Sequence, residues 1–197
     1  LPQFPSVIIQ VVLTQSNRFF LNAYVPLVQL GYFSIAEKYA NLLFLLIYAF
    51  ILAWGPYALS IMKESFRNDV YRKVFNSYTV VFGMAYIGVS FLAKPLFSLF
   101  LSENYMMGYQ IVFILALGLF FIGINNMVGL GISISQKTKY TSYIQAVVLV
   151  VNLTLNFLLI PKWGMFGAAI AFTLSIFLQS VFSYYVAKRL VDIGFHY

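Results

Sequence analysis

The chain has no cysteine, which excludes disulfides, thiolate metal sites and thiol catalysis. Its single histidine, His196, sits at the tail and leaves no histidine cluster for a metal or a proton relay. Asp and Glu together number only five, and charged residues make up 9% of the 197, against about 25% in an ordinary soluble domain. Outside one short charged segment there is no carboxylate pair. No phosphate-binding loop and no nucleophile elbow occurs either. No catalytic residue, cofactor or metal site is therefore expected, and the chain does not read as an enzyme. The opening stretch also lacks a basic n-region and a small-residue cleavage site, so it is not a signal peptide. There is no linker or low-complexity run.

What is abundant is apolar surface. Hydrophobic residues make up 62%, and the mean hydropathy is +0.88. Six long apolar stretches stand out, at about 3–24, 32–62, 73–93, 106–133, 141–160 and 165–187. Each is near or above the roughly 20 helical residues that cross a hydrocarbon core. The expected fold is an all-α polytopic membrane protein with six transmembrane helices.

The cations support that reading. Eight of the 12 Lys and Arg fall in three places: Lys63, Arg67, Arg72 and Lys73; Lys137 and Lys139; Lys188 and Arg189. Only Lys94 and Lys162 lie in the alternate loops. Basic loops stay cytoplasmic, so both ends of this segment are expected in the cytoplasm. The net charge of +7 flanks the spans instead of coating one soluble face, which argues against nucleic acid. The chain starts at Leu1, and Leu1, Pro2 and Pro5 read as the opening of a span inside a longer protein.

Irregular residues place the connections. Pro26 and Gly31 are expected to close an outer loop over 25–31. Stretch 32–62 would be about 46 Å long, and Gly55 and Pro56 are expected to bend it, because proline removes a backbone bond and crowds the preceding turn. Residues 63–73 read as a charged connector, Pro95–Leu101 as a short helix at the outer interface, and Pro161-Lys162-Trp163-Gly164 as a tight outer turn. Gly164, Gly167, Ala168, Ala169 and Ala171 form a small-residue run that allows close helix approach. Asn152-Leu153-Thr154 matches a glycosylation acceptor but lies inside a span, where helix packing explains it.

The chain resembles a known family in several places. Asn17-Arg18-Phe19-Phe20-Leu21, Gly31-Tyr32-Phe33-Ser34-Ile35-Ala36-Glu37-Lys38-Tyr39-Ala40 and Ala53-Trp54-Gly55-Pro56 look like the start of the second half of bacterial polysaccharide and O-antigen flippases. These are the polysaccharide transporters of the multidrug/oligosaccharidyl-lipid/polysaccharide exporter superfamily. Asn152 to Ala171 is similar to the asparagine, Ile-Pro and Gly-Ala-Ala signature near that family's end, and Gln136-Lys137-Thr138-Lys139 to its basic turn. The resemblance implies one six-helix lobe of a MATE-like twelve-helix transporter, paired with an N-terminal lobe of the same protein in the bacterial inner membrane. It also implies flipping of an undecaprenyl-pyrophosphate-linked oligosaccharide during lipopolysaccharide or related polysaccharide biosynthesis. The family usually has Asp-Arg where this chain has Asn17-Arg18, so no carboxylate role falls on position 17. Phe172 stands where a hydroxyl residue is common.

Arg18, Glu37 and Lys38 lie at similar depths in the first helical hairpin and are expected to meet in one layer. An unpaired charge there costs several kcal/mol, so each should face a partner or a wet cavity. With the implied anionic head group, Arg18 and Lys38 become substrate-binding cations. Glu37 is either Arg18's structural partner or a coupling residue. Asn17, Asn41, Asn125 and Asn152 are candidate cavity-lining polar residues or interhelical bonds. Two alternatives stay open. A cation-coupled multidrug exporter of the same superfamily would need intramembrane carboxylates, of which this chain offers Glu37. The other is a membrane assembly subunit without transport.

Overall fold

The computed structural model describes residues 4–135 and 139–190. Leu1, Pro2, the Gln136, Lys137 and Thr138 of the basic turn, and His196 lie outside the described residues. Among the described residues the protein is helical throughout: α1 Phe4–Tyr24, α2 Leu27–Ser60, α3 Arg67–Phe100, a short 3-10 turn Glu103–Gly108, α4 Tyr109–Ile134 and α5 Lys139–Leu190. Four of the helical segments are long and apolar enough to cross a membrane.

α2, α3 and both arms of α5 are longer than their apolar stretches, and four boundaries move. α2 starts at Leu27, so Gly31 lies inside it and the expected outer loop shrinks to Val25 and Pro26. Pro26 is extended at φ −57°, ψ 143°, and a helix can begin directly after it. α3 starts at Arg67, so most of the charged connector over 63–73 is helical. α3 also runs through Pro95 to Phe100, so no separate interfacial helix exists at 95–101. Proline removes a single backbone bond to the preceding turn, and the buried side chains of Ala93 and Phe97 pin the helix against the core on both sides of it. α2 likewise continues through Gly55 and Pro56 without a break. At 34 residues it is about 51 Å long, and the excess over a bilayer core must be taken up by tilt or protrusion.

The fourth change is at the expected 161–164 turn. Pro161, Lys162 and Trp163 are helical, and the reversal is confined to Gly164 at φ 53°, ψ −128°. The chain folds back there into two antiparallel arms, 139–163 and 165–190. Asn152 Nδ2 of the first arm donates to Ser175 Oγ of the second at 3.1 Å. A Cβ on Gly167 would lie 2.5 Å from the Leu159 carbonyl oxygen, so the arms touch backbone to backbone. Gly167, Ala168, Ala169 and Ala171 are all buried, and Gly167 permits the close approach.

Side-chain pairs fix the relative directions. Tyr39 donates to the Val89 carbonyl and Tyr71 to the Ala58 carbonyl, so α2 and α3 are antiparallel. Tyr78 donates to Phe120 O, and a Cβ on Gly108 would meet Phe97, so α3 and α4 are antiparallel. Thr173, Ser180 and Ser183 bond in order to Ile114 O, Phe121 O and Asn125 Oδ1, so the second arm of α5 runs parallel to α4. Ser16 and Asn17 meet Asn152 and Asn156, and Tyr24 meets Phe157, so α1 runs parallel to the first arm. α1, α3 and the first arm of α5 thus point one way, and α2, α4 and the second arm point the other.

Two apolar clusters fill the interior, one around Phe33, Leu43, Phe97, Val112 and Ile160, the other around Trp54, Tyr78, Met127 and Val148. The outside is equally apolar. Phe91 is 83% exposed, and Phe19, Leu99 and Phe100 are also well exposed. A water-soluble monomer rarely shows so much contiguous apolar surface; a lipid-facing one does.

Candidate functional site

The site lies between α1, α2, α4 and the second arm of α5. One guanidinium Nη2 of Arg18 donates to Glu37 Oε2 at 2.6 Å. The Arg18 side chain is 44% exposed and that of Glu37 29%, so the pair sits at a surface with one charge turned inward. Glu37 then joins Asn17 and Asn41 in lining a cavity of about 260 Å³ walled by Phe33, Phe44, Leu115, Leu119 and Phe172, among others. The helical repeat explains the grouping. Phe33, Glu37, Asn41 and Phe44 are spaced by three or four residues and share one face of α2. Phe172 puts a ring on the cavity wall.

Lys38 does not join this layer. One residue on from Glu37, it is turned by about 100° around the helix, and it lines a separate apolar groove between α2 and the end of α3. The expected single layer of three charges is therefore a pair, with a lone cation on another face.

The candidate cavity asparagines divide. Asn17 does both jobs: it lines the cavity and accepts from Asn156 Nδ2 at 2.8 Å. Asn41 is exposed at the cavity. Asn125 accepts from Ser183 Oγ at 2.8 Å and joins α4 to the second arm of α5. Asn152 is buried in an interhelical network, not in the cavity. Its Oδ1 accepts from Ser16 Oγ at 2.7 Å and from Asn156 Nδ2 at 3.1 Å. Its own Nδ2 reaches Ser175 Oγ, and Ser175 donates to the Ala171 carbonyl at 2.6 Å. This network joins α1 to both arms of α5 directly behind the cavity wall.

Sequence reasoning missed Ser16, Ser175 and Gln29. The four-residue spacing of Asn152 and Asn156 puts both on one helix face, and that spacing was a signal for a network. Nothing local marks Gln29. In the structure its Oε1 accepts from the Met165 backbone N–H at 3.2 Å, so the start of α2 holds the reversal at Gly164.

Interhelical hydrogen bonds between membrane helices contribute about 0.6 kcal/mol each and up to about 1.7. Asn156→Leu removes the bonds to Asn17 and Asn152; it strands the Asn17 oxygen, while Asn152 Oδ1 keeps the Ser16 hydroxyl. The expected result is a thermal unfolding midpoint lowered by several degrees in detergent, with α1 the first element to become accessible to protease. An unchanged midpoint would mean that the network is idle.

Among known proteins, no family model matches the chain and no solved structure does. A curated protein described as "Capsular polysaccharide biosynthesis protein CapF", from Staphylococcus aureus, is 34% identical over 112 residues. The match takes in 56% of this chain and 28% of that protein. The match to this polysaccharide-biosynthesis protein is distant and partial.

Proposed function

We propose that this chain is one lobe of a transporter that flips a lipid-linked oligosaccharide across the bacterial inner membrane. The observation that carries the reading is the Arg18–Glu37 pair at a cavity that Asn17 and Asn41 also line, in a chain with much exposed apolar surface. A translocated pyrophosphate head has to cross a region of low dielectric. Glu37 engages one guanidinium nitrogen and orients the fork, and the remaining N–H donors of Arg18 serve the phosphate oxygens. The pair is half-exposed, as a site that opens toward a second lobe should be. An undecaprenyl-pyrophosphate-linked oligosaccharide is the substrate class this chemistry suits, and the link to polysaccharide biosynthesis supports it.

The proposal includes six crossings. Each arm of α5 exceeds the length of about 20 residues needed to span, and the alternating helix directions allow six consecutive passes. The basic residues then place the 63–73 and 134–140 connections in the cytoplasm. Single-cysteine labelling tests this directly in a chain without cysteine. A cysteine at position 68 should resist a membrane-impermeant maleimide in intact cells and react after lysis, while one at position 163 should react in intact cells. The reverse pattern would reject the topology.

The functional test is loss of the gene in its host. Lipid-linked oligosaccharide should accumulate on the cytoplasmic leaflet, surface polysaccharide should fall at least tenfold, and glycosyltransferase activity in membranes should stay normal. Normal appearance of the oligosaccharide on the outer leaflet would overturn the reading. In the proposal the chain performs no covalent chemistry.

A further inference from the structure

Lys38 stands apart from the site above and, among the described residues, has no ion-pair partner. It is exposed. The groove it lines measures about 350 Å³ and is otherwise walled by Ile35, Leu42, Leu96, Phe97 and Phe100, with Tyr39 and Leu101 at its margins. The Tyr39 hydroxyl is already committed to the Val89 carbonyl.

We propose that this groove binds one anionic glycerophospholipid, with its phosphate on the Lys38 ammonium and an acyl chain along the α2–α3 walls. The inference rests on the membrane reading of the helices but not on flipping or on the role of Arg18. Depth supports it. α2 has 34 residues and exceeds a core of about 30 Å by about 20 Å. With the excess shared, roughly 10 Å of helix projects at each end. Lys38 follows Leu27 by about 16 Å along the axis, so its Cα lies about 6 Å inside the hydrocarbon boundary. A lysine stem lets the ammonium snorkel by about that distance to the level of lipid phosphates. Charge supports it too. A lone cation in an apolar groove is costly without an anion, and a single point charge beside apolar walls matches one phosphate above acyl chains. A polyprenyl pyrophosphate carries more negative charge than one lysine offsets, so we commit to the phospholipid.

Native mass spectrometry of the purified protein tests the site. The probes are phosphatidylglycerol, phosphatidylcholine with the same acyl chains, and undecaprenyl phosphate. Phosphatidylglycerol should be retained at least fivefold over phosphatidylcholine. Lys38→Gln should abolish that preference, Lys38→Arg should keep it, and the exposed Lys162→Gln should leave it unchanged. Leu42 is itself exposed, so Leu42→Trp should fold and should block retention by filling the groove with Lys38 intact. Equal retention by wild type and Lys38→Gln, full retention by Leu42→Trp, or preference for undecaprenyl phosphate at Lys38 would each overturn the proposal. Because Arg18 is untouched in all variants, polysaccharide export can be intact while this site fails, and the reverse.

Discussion

Gly164→Ala should remove most of the folded protein from the membrane. Two independent penalties fall on that position. The backbone sits at φ 53°, ψ −128°, a region closed to residues with a Cβ, and such strain costs about 1–3 kcal/mol. A Cβ would also overlap the Gln29 side-chain amide, which holds the Met165 N–H. The amide would have to leave, and the first backbone donor of the second arm would lose its acceptor. The two arms share the Asn152 to Ser175 bond and the Gly167 contact, so a wider reversal separates elements along the whole hairpin. The check is the yield of monodisperse protein by fluorescence size-exclusion, with Gly164→Ala expected to fall at least fivefold. Combining it with Gln29→Ala separates the two penalties: the double variant should recover part of the yield, since the overlap is gone while the backbone strain remains. Wild-type yield from Gly164→Ala would show that the reversal does not need glycine.

Much of the helical architecture was legible because apolar length is a coarse, one-dimensional property. Helix centres and the relative directions of consecutive helices follow from six apolar stretches separated by turn residues. The boundaries were less legible. Gly31 and Pro95 read as ends of helices when only local backbone rules are applied, yet α2 and α3 run through them; at Pro95 one missing N–H is a smaller loss than unseating Ala93 and Phe97 from the core. The site divides in the same way. The Arg18–Glu37 pair was legible, since two opposite charges at similar depth in a hairpin have strong reason to meet. Lys38 was misplaced because depth was weighed without the helical repeat, which turns position 38 away from position 37. Asn152 was left open between cavity and interhelical bond, and only three-dimensional contact with Ser16 and Ser175 assigns it to the bond. Gln29 pairs with a backbone group far along the chain, and no local pattern encodes that.

Arg18 is where transport and architecture make opposite forecasts. If Arg18 binds the pyrophosphate, Arg18→Ala should reduce export of surface polysaccharide at least tenfold while membrane abundance stays near normal. Arg18→Lys should retain only part of the export, because lysine keeps the charge and loses the bidentate fork. If Arg18 serves only to neutralise Glu37, the loss has another origin. Each single substitution then leaves one charge uncompensated beside the apolar walls of Phe33 and Leu115, and the effect of deleting one partner exceeds that of deleting both. Abundance would fall in Arg18→Ala and in Glu37→Ala, and the double variant would recover both abundance and export. The 2.6 Å contact makes the two residues a coupled pair, so a double-mutant cycle is the proper measurement. Abundance separates the two outcomes: it stays near normal in Arg18→Ala under the first and falls under the second. Glu37→Gln sharpens the distinction. It keeps a hydrogen-bond acceptor for Arg18 while removing the charge, so under the binding role export should persist. Recovery of export in the Arg18→Ala/Glu37→Ala variant would reject Arg18 as a substrate contact, and sustained loss with normal abundance would establish it.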